Sequence, residues 1–220
     1  MARAARSVAR ACGALALGAL LVATACTRVV DDARVVAAPD MGKAPATASD
    51  CTSVDAPMTR IEGQTDEEPV LSIPQPEGWE RVRMMDSDLI RFTMRNQSLA
   101  KDGFAPTAVV TLESHRGLAE PREVFDAQQD ALESAVGATD LQVTPTTVCE
   151  LPAEMIDYTT PPLGLLPPHP ARVVTAVLAT EDTTYAMTMT VQSGDADNPV
   201  YRRDAETILT GFQMLPPAGE

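Results

Sequence analysis

The chain has 220 residues, 17 of them Lys or Arg, 31 Asp or Glu and only 2 His, for a formal net charge of −14. That balance argues against a nucleic-acid binder, which needs a basic face to displace phosphate counterions, and against electrostatic docking on anionic lipid headgroups. At 45 % hydrophobic residues the chain can build a core, but aromatics are only 4 %, so burial falls to aliphatic side chains and 10 Met.

Arg3, Arg6 and Arg10 precede an uncharged apolar run over residues 11–25. As a helix that run would be about 22 Å long at 1.5 Å per residue, short of a hydrocarbon core of about 30 Å. It therefore reads as a secretory signal segment rather than a stable span. The run ends in Val22-Ala23-Thr24-Ala25-Cys26, small residues followed at once by Cys, which resembles a bacterial lipobox. The resemblance implies acylation of the Cys26 thiol and cleavage before it; Ala23 stands where Leu is usual. The alternatives are an ordinary signal peptide cut near Ala25 and a plain transmembrane anchor. Cleavage removes three arginines and no acid, leaving a mature charge of −17. A surface that acidic does not hold itself on anionic headgroups, so acyl chains must do the holding. Arg outnumbers Lys 15 to 2, a codon bias that fits a GC-rich genome.

Residues 26–50 mix Ala, Asp, Pro, Gly, Ser and Thr without sustained periodicity and read as a tether with an r.m.s. reach of about 25–30 Å. A single domain is expected over 51–220. Cys51 and Cys149 remain after processing, and in an oxidising compartment they are expected to pair. Free thiols or a metal site are the alternatives, the latter weakened by the lack of nearby His. A first strand is predicted over 69–73, ended by Pro74 and the turn Pro76-Glu77-Gly78-Trp79. Ile90, Phe92 and Met94 alternate with Arg91, Thr93 and Arg95, the period of a half-buried strand. Residues 96–106 read as a loop and 107–114 as a strand.

The period then changes. Residues 121–136 form a predicted helix opened by Pro121 and stopped by Gly137, with Phe125, Leu132 and Val136 on one face. Strand-like pieces follow at 141–143, 146–149 and 154–159. Five prolines exclude regular structure between Pro161 and Pro170. Residues 171–179 are apolar on both faces and should form a central strand. Tyr185, Met187, Met189 and Val191 alternate along another. Asn198 and Pro199 open a last helix with the apolar stripe Tyr201, Ala205, Ile208 and Phe212. This order predicts an α+β fold, an antiparallel sheet with helices packed on both faces.

Cys26, Cys51-Thr52-Ser53-Val54 with Pro57-Met58-Thr59, and Leu71-Ser72-Ile73-Pro74 running to Gly78-Trp79 together resemble the mycobacterial LpqN-type lipoprotein family. Ile90-Arg91-Phe92, Pro106-Thr107-Ala108-Val109-Val110 and the order of elements extend the likeness over roughly 51–215. The resemblance implies a PsbP-like α/β/α sandwich. It also implies an exported, membrane-tethered accessory protein of the actinobacterial cell envelope, working by binding envelope components or partner proteins. It carries no catalytic motif.

Catalytic chemistry has little material here. Neither a nucleophile elbow nor a Gly-rich phosphate loop occurs. Adjacent Ser114 and His115 point to opposite faces of a strand, and His169 reads as a loop residue. Residues 195–198 resemble the start of a calcium loop but lack its Gly and its closing acid. No enzyme, metal or cofactor is expected. Binding candidates are Leu163, Leu165 and Leu166 in the proline-rich loop, where exposed apolar residues mark a site or else fold back on the core. The Arg91 and Arg95 pair would grip an anionic or sugar ligand or else balance nearby acids. The methionines Met84, Met85, Met94, Met187 and Met189 either line a lipid pocket or fill the core. Trp79 is expected at a sheet edge, buried or stacking on a sugar. The leading expectation is a non-enzymatic lipoprotein, membrane-held through its N-terminal acyl anchor, that binds an envelope glycan or glycolipid. A protein-interaction adaptor for envelope transport machinery is the alternative.

Overall fold

The structure, a computed structural model, describes residues 46–162, 164 and 166–217. The lipobox Cys26, the signal segment, most of the tether, and Leu163 and Leu165 lie outside the described residues. The described residues form one compact unit.

Seven antiparallel strands make the main sheet. They are β3 (Trp79–Arg81), β4 (Ile90–Asn96), β5 (Thr107–Arg116), β6 (Thr139–Val148), β7 (Leu151–Thr159), β8 (Pro170–Ala179) and β9 (Thr183–Gln192), in the order β3-β4-β5-β9-β8-β7-β6. A second, three-stranded sheet pairs β1 (Met58–Ile61), β2 (Val70–Pro74) and β10 (Gln213–Leu215), with β2 central. Among the described residues two α-helices complete the fold, α1 (Pro121–Ala131) and α2 (Pro199–Gly211).

Side chains alternate across a strand, so the register defines two faces. Phe92, Val110, Met189 and Val174 are cross-strand neighbours. Their face is covered by α2 and the small sheet, and it carries the larger core, including Ile73, Trp79, Met94, Met187, Tyr201, Ile208, Phe212 and Met214. On the opposite face Ile156, Tyr158, Ala171 and Val173 pack with Leu132 and Ala138, at the end of α1 and just past it. This is the α+β sandwich with helices on both faces that the pattern and the PsbP-like resemblance predict. Strand β8 sits inside the sheet, and Val173, Val174, Ala176 and Val177 are all buried.

The two helices show how local sequence becomes geometry. In α2 the Asn198 side chain accepts from the amides of Val200 and Tyr201, and Pro199 occupies the first turn. The predicted stripe Tyr201, Ala205, Ile208 and Phe212 is buried throughout. In α1 the prediction is corrected. The α-helix stops at Ala131 and a π-helical turn follows over Leu132–Val136, closed by Gly137 at φ 77°. A π turn adds a residue per turn, so the face rotates: Phe125 and Leu132 are buried, but Val136 is exposed. The two strand-like pieces after it are one strand, β6. Strands β1, β3 and β10 carry no signal of their own; each is only three or four residues long.

The strands also define two ends. One end holds the Cys149-Glu150 turn between β6 and β7, the end of β5 at Arg116, and the 82–89 connection. The other holds Thr107, Gln192 and Ala171. Cys51 is bonded to Cys149, S–S 2.00 Å, so the chain enters the domain at the first end.

Candidate functional site

Between helix α2 and strands β7, β8 and β9 lies a cleft of about 600 Å³. Its floor is apolar: Val191, Ala205 and Leu209. Its rim is charged. Arg172 donates from Nε to Asp157 Oδ1 at 2.7 Å and from Nη1 to Glu206 Oε2 at 3.5 Å, so one guanidinium links strand β7 to helix α2 through strand β8. Arg202 and Arg203 extend the rim. Arg203 is half committed, donating to the buried Asp204 at 2.8 Å. Tyr201 also lines the cleft. Burial pushes its phenol far up, which the Arg172 charge only partly offsets. The hydroxyl therefore stays protonated and can donate as well as accept.

An apolar floor beside closely spaced donors and acceptors matches the two-sided chemistry of a polyol, whose C–H face is apolar and whose hydroxyls need both kinds of partner. The cleft contains no His, Cys or Ser. Among the described residues no cluster of three or more His, Cys, Asp or Glu could hold a metal ion.

The residues singled out from sequence scatter. Trp79 sits on the edge strand β3 and is 2 % exposed, with Nε1 donating to Asp204 Oδ2 at 3.0 Å. Its faces are inside the core, so no sugar can stack on them. Arg91 does not act with Arg95. A register shift between Ile90 and Phe92 puts it out of step with the strand. Its guanidinium reaches Glu68 at 2.8 and 2.5 Å, and its side chain is 7 % exposed. Arg95 is exposed and stands apart. Leu166 is buried, its side chain 3.2 Å from where a Cβ on Gly194 would sit. The proline-rich loop thus folds back on its own domain at this point. Its other end, Pro170, lines the α2 cleft.

His169 is a correction. It is buried rather than a plain loop residue, with Nδ1 3.0 Å from Thr160 Oγ1 and Nε2 3.0 Å from Gln192 Oε1, its ring against Phe104. Met94, Met187 and Met189 fill the core; Met84 and Met85 are outside it. The cleft residues Asp157, Arg172, Tyr201 and Glu206 escaped sequence reading because they come from separate elements. Only the Tyr201 stripe position hinted at any of them.

The sequence profile of the family described as probable lipoprotein LpqN matches residues 51–215. The chain belongs to the LpqN lipoprotein family. The match begins at Cys51 and ends at the close of β10, so it takes in both sheets, both helices and the whole α2 cleft. Among solved structures, LpqN of Mycobacterium tuberculosis, described as involved in cell envelope biogenesis, is similar at 15 % identity and a TM-score of 0.58, over 73 % of this chain and 91 % of that one. That likeness establishes a shared fold. The Ran-binding protein Mog1p of Saccharomyces cerevisiae is more distant, at 12 % identity and a TM-score of 0.45, over 74 % of this chain and 97 % of that one. Curated protein sequences give no significant match.

Proposed function

We propose that this chain is a lipid-anchored lipoprotein on the extracytoplasmic side of the cell membrane that captures an envelope glycan or glycolipid, without covalent chemistry, in the α2 cleft. One observation carries the reading: an apolar-floored cleft rimmed by Asp157, Arg172, Tyr201 and Glu206 opens toward the end of the sheet away from Cys51. A domain moored through Cys26 and entered at Cys51 would hold that cleft away from its mooring. Three features support the setting: the lipobox, the disulfide, which belongs to an oxidising compartment, and the family. The envelope role of the M. tuberculosis relative points the same way.

Native mass spectrometry of the chain extracted from its own membranes tests this directly. The expected species carries acyl chains on residue 26, an intact disulfide and a bound sugar-containing ligand. Arg172→Ala should reduce ligand occupancy by about tenfold or more, since a hydrogen bond to a charged group contributes about 1.5–3 kcal/mol, while leaving thermal stability nearly unchanged. A ligand-free wild-type chain, or full occupancy in Arg172→Ala, removes the cleft from the account. A single co-purifying protein in place of sugar would favour the adaptor reading.

A further inference from the structure

The main sheet is unevenly covered. On the face that holds Ile156 and Val173, helix α1 lies over β7 and β8. The next two strands, β9 and β5, carry no helix on that face among the described residues. The register places Val109, Thr111, Ala186, Thr188 and Thr190 on this bare stretch, and all five are half-buried. Between it and α1 runs a groove of about 440 Å³. Its helix wall is Val124, Ala127 and Ala131, and Ala186 and Thr188 form its sheet wall. Ala119 also lines it, and the neighbouring Leu118 is 68 % exposed. A large apolar side chain held in solvent beside an apolar groove marks an interaction surface.

Geometry and charge supply the occupant. Strands β5 and β9 are interior to the sheet and paired on both edges, so no strand can be added here. What fits is a body that packs side chains onto a sheet face. Strands lie about 4.8 Å apart, so the β5–β9 seam is about 10 Å from the β8–β7 seam under α1. Packed helices lie side by side at about that distance. The charge at the groove is one-sided. Glu113 and Glu123 line it, and Glu120 is the N-cap of α1. All three are exposed, and their side chains have no ion pair or hydrogen bond among the described residues. Nearby cations do not offset them. Arg122 pairs with Asp126 at 2.8 Å, and strand alternation turns Arg116 to the opposite face. His115 is the one basic residue among those that line the groove. A second copy of this chain would set the same acids against each other, and anionic lipid would be repelled. We infer that the groove is a docking slot for a basic amphipathic helix of a partner protein. Its apolar stripe packs on α1 and the bare sheet, and its Lys or Arg side chains meet Glu113, Glu120 and Glu123. The slot lies on the opposite face of the sheet from α2, so the inference is independent of what the α2 cleft binds.

The test uses the full acylated chain in phosphatidylcholine nanodiscs, with empty discs as background. Two fluorescent helical peptides share one Leu/Ala stripe; one carries Lys on its polar face and the other Glu. Anisotropy should rise with chain-loaded discs for the Lys peptide and not for the Glu peptide. Ala127→Arg, at an exposed position, should weaken the Lys peptide by about tenfold or more with an unchanged melting curve. Glu113→Gln and Glu123→Gln should weaken it about two- to fivefold each, and they decide the matter if Ala127→Arg does not fold. Glu62→Gln, just past β1 and away from the groove, should leave binding unchanged. A Lys peptide that does not bind, or a Glu peptide that binds as well, overturns the slot. So does a Lys peptide that holds to folded Ala127→Arg as tightly as to the wild type, or that loses as much to Glu62→Gln as to Glu113→Gln; either result means only general attraction to an acidic surface.

Discussion

Glu68 and Arg91 show what one ion pair does in an acidic domain. Burial pushes the Glu68 carboxyl up, but hydrogen bonds from Arg91 and from the amides of Gln64 and Thr65, with the Arg91 charge, outweigh it and hold the pKa below its ordinary value. A carboxyl whose folded pKa is lowered contributes stability that is fully present above its unfolded value, about 4.3, and is lost as the pH falls through the folded one. Urea midpoints of the wild type should therefore drop between neutral pH and about 3 more steeply than those of Glu68→Gln. Parallel curves would mean that the pair contributes nothing net. The same pair is the acid-balancing role that the sequence left open for Arg91. Arg91 and Arg95 are four apart on a strand that looks regular, but the register shift separates their roles.

At the scale of elements, helix α2 is the joint of the molecule. It covers the main sheet, leads directly into β10 of the small sheet and frames the cleft. Its last residue, Gly211, lies where a Cβ would come within 2.8 Å of Pro74 Cγ and closer still to Val54. Ala is the better helix former by about 1 kcal/mol, yet Gly211→Ala should destabilise by about 1–3 kcal/mol, because overpacking here pushes β2 and the entry segment off the helix. A gain in denaturant midpoint would show that this contact yields freely. Helix α1 carries the complementary lesson. Its start at Pro121 and its stop at Gly137 are written locally, whereas the π turn that exposes Val136 is set by what Leu132 must reach on the sheet.

For the molecule as a whole, the Cys51–Cys149 bond is the chief covalent constraint, with a sequence separation of 98 residues. A loop of that size contributes about 4.7 kcal/mol in the chain-entropy model. Reduction, or Cys149→Ser, should lower unfolding stability by most of that amount in denaturant titrations with and without a thiol reductant. A loss below about 1 kcal/mol would mean that the entry segment is held by packing through Val54 alone. The bond also fixes which end of the main sheet the segment after Cys51 joins.

The amino-acid sequence by itself determined the fold class and the long elements, because hydrophobic period and capping residues act within a few neighbouring residues. The buried faces of β8, β9 and α2 are legible for that reason. Tertiary structure alone decided the second sheet, the burial of Trp79 and His169, the commitment of Arg91 to Glu68, and the assembly of Asp157, Arg172, Tyr201 and Glu206 around one cleft. Those outcomes depend on partners far apart in the chain, and no local periodicity encodes which distant side chains meet.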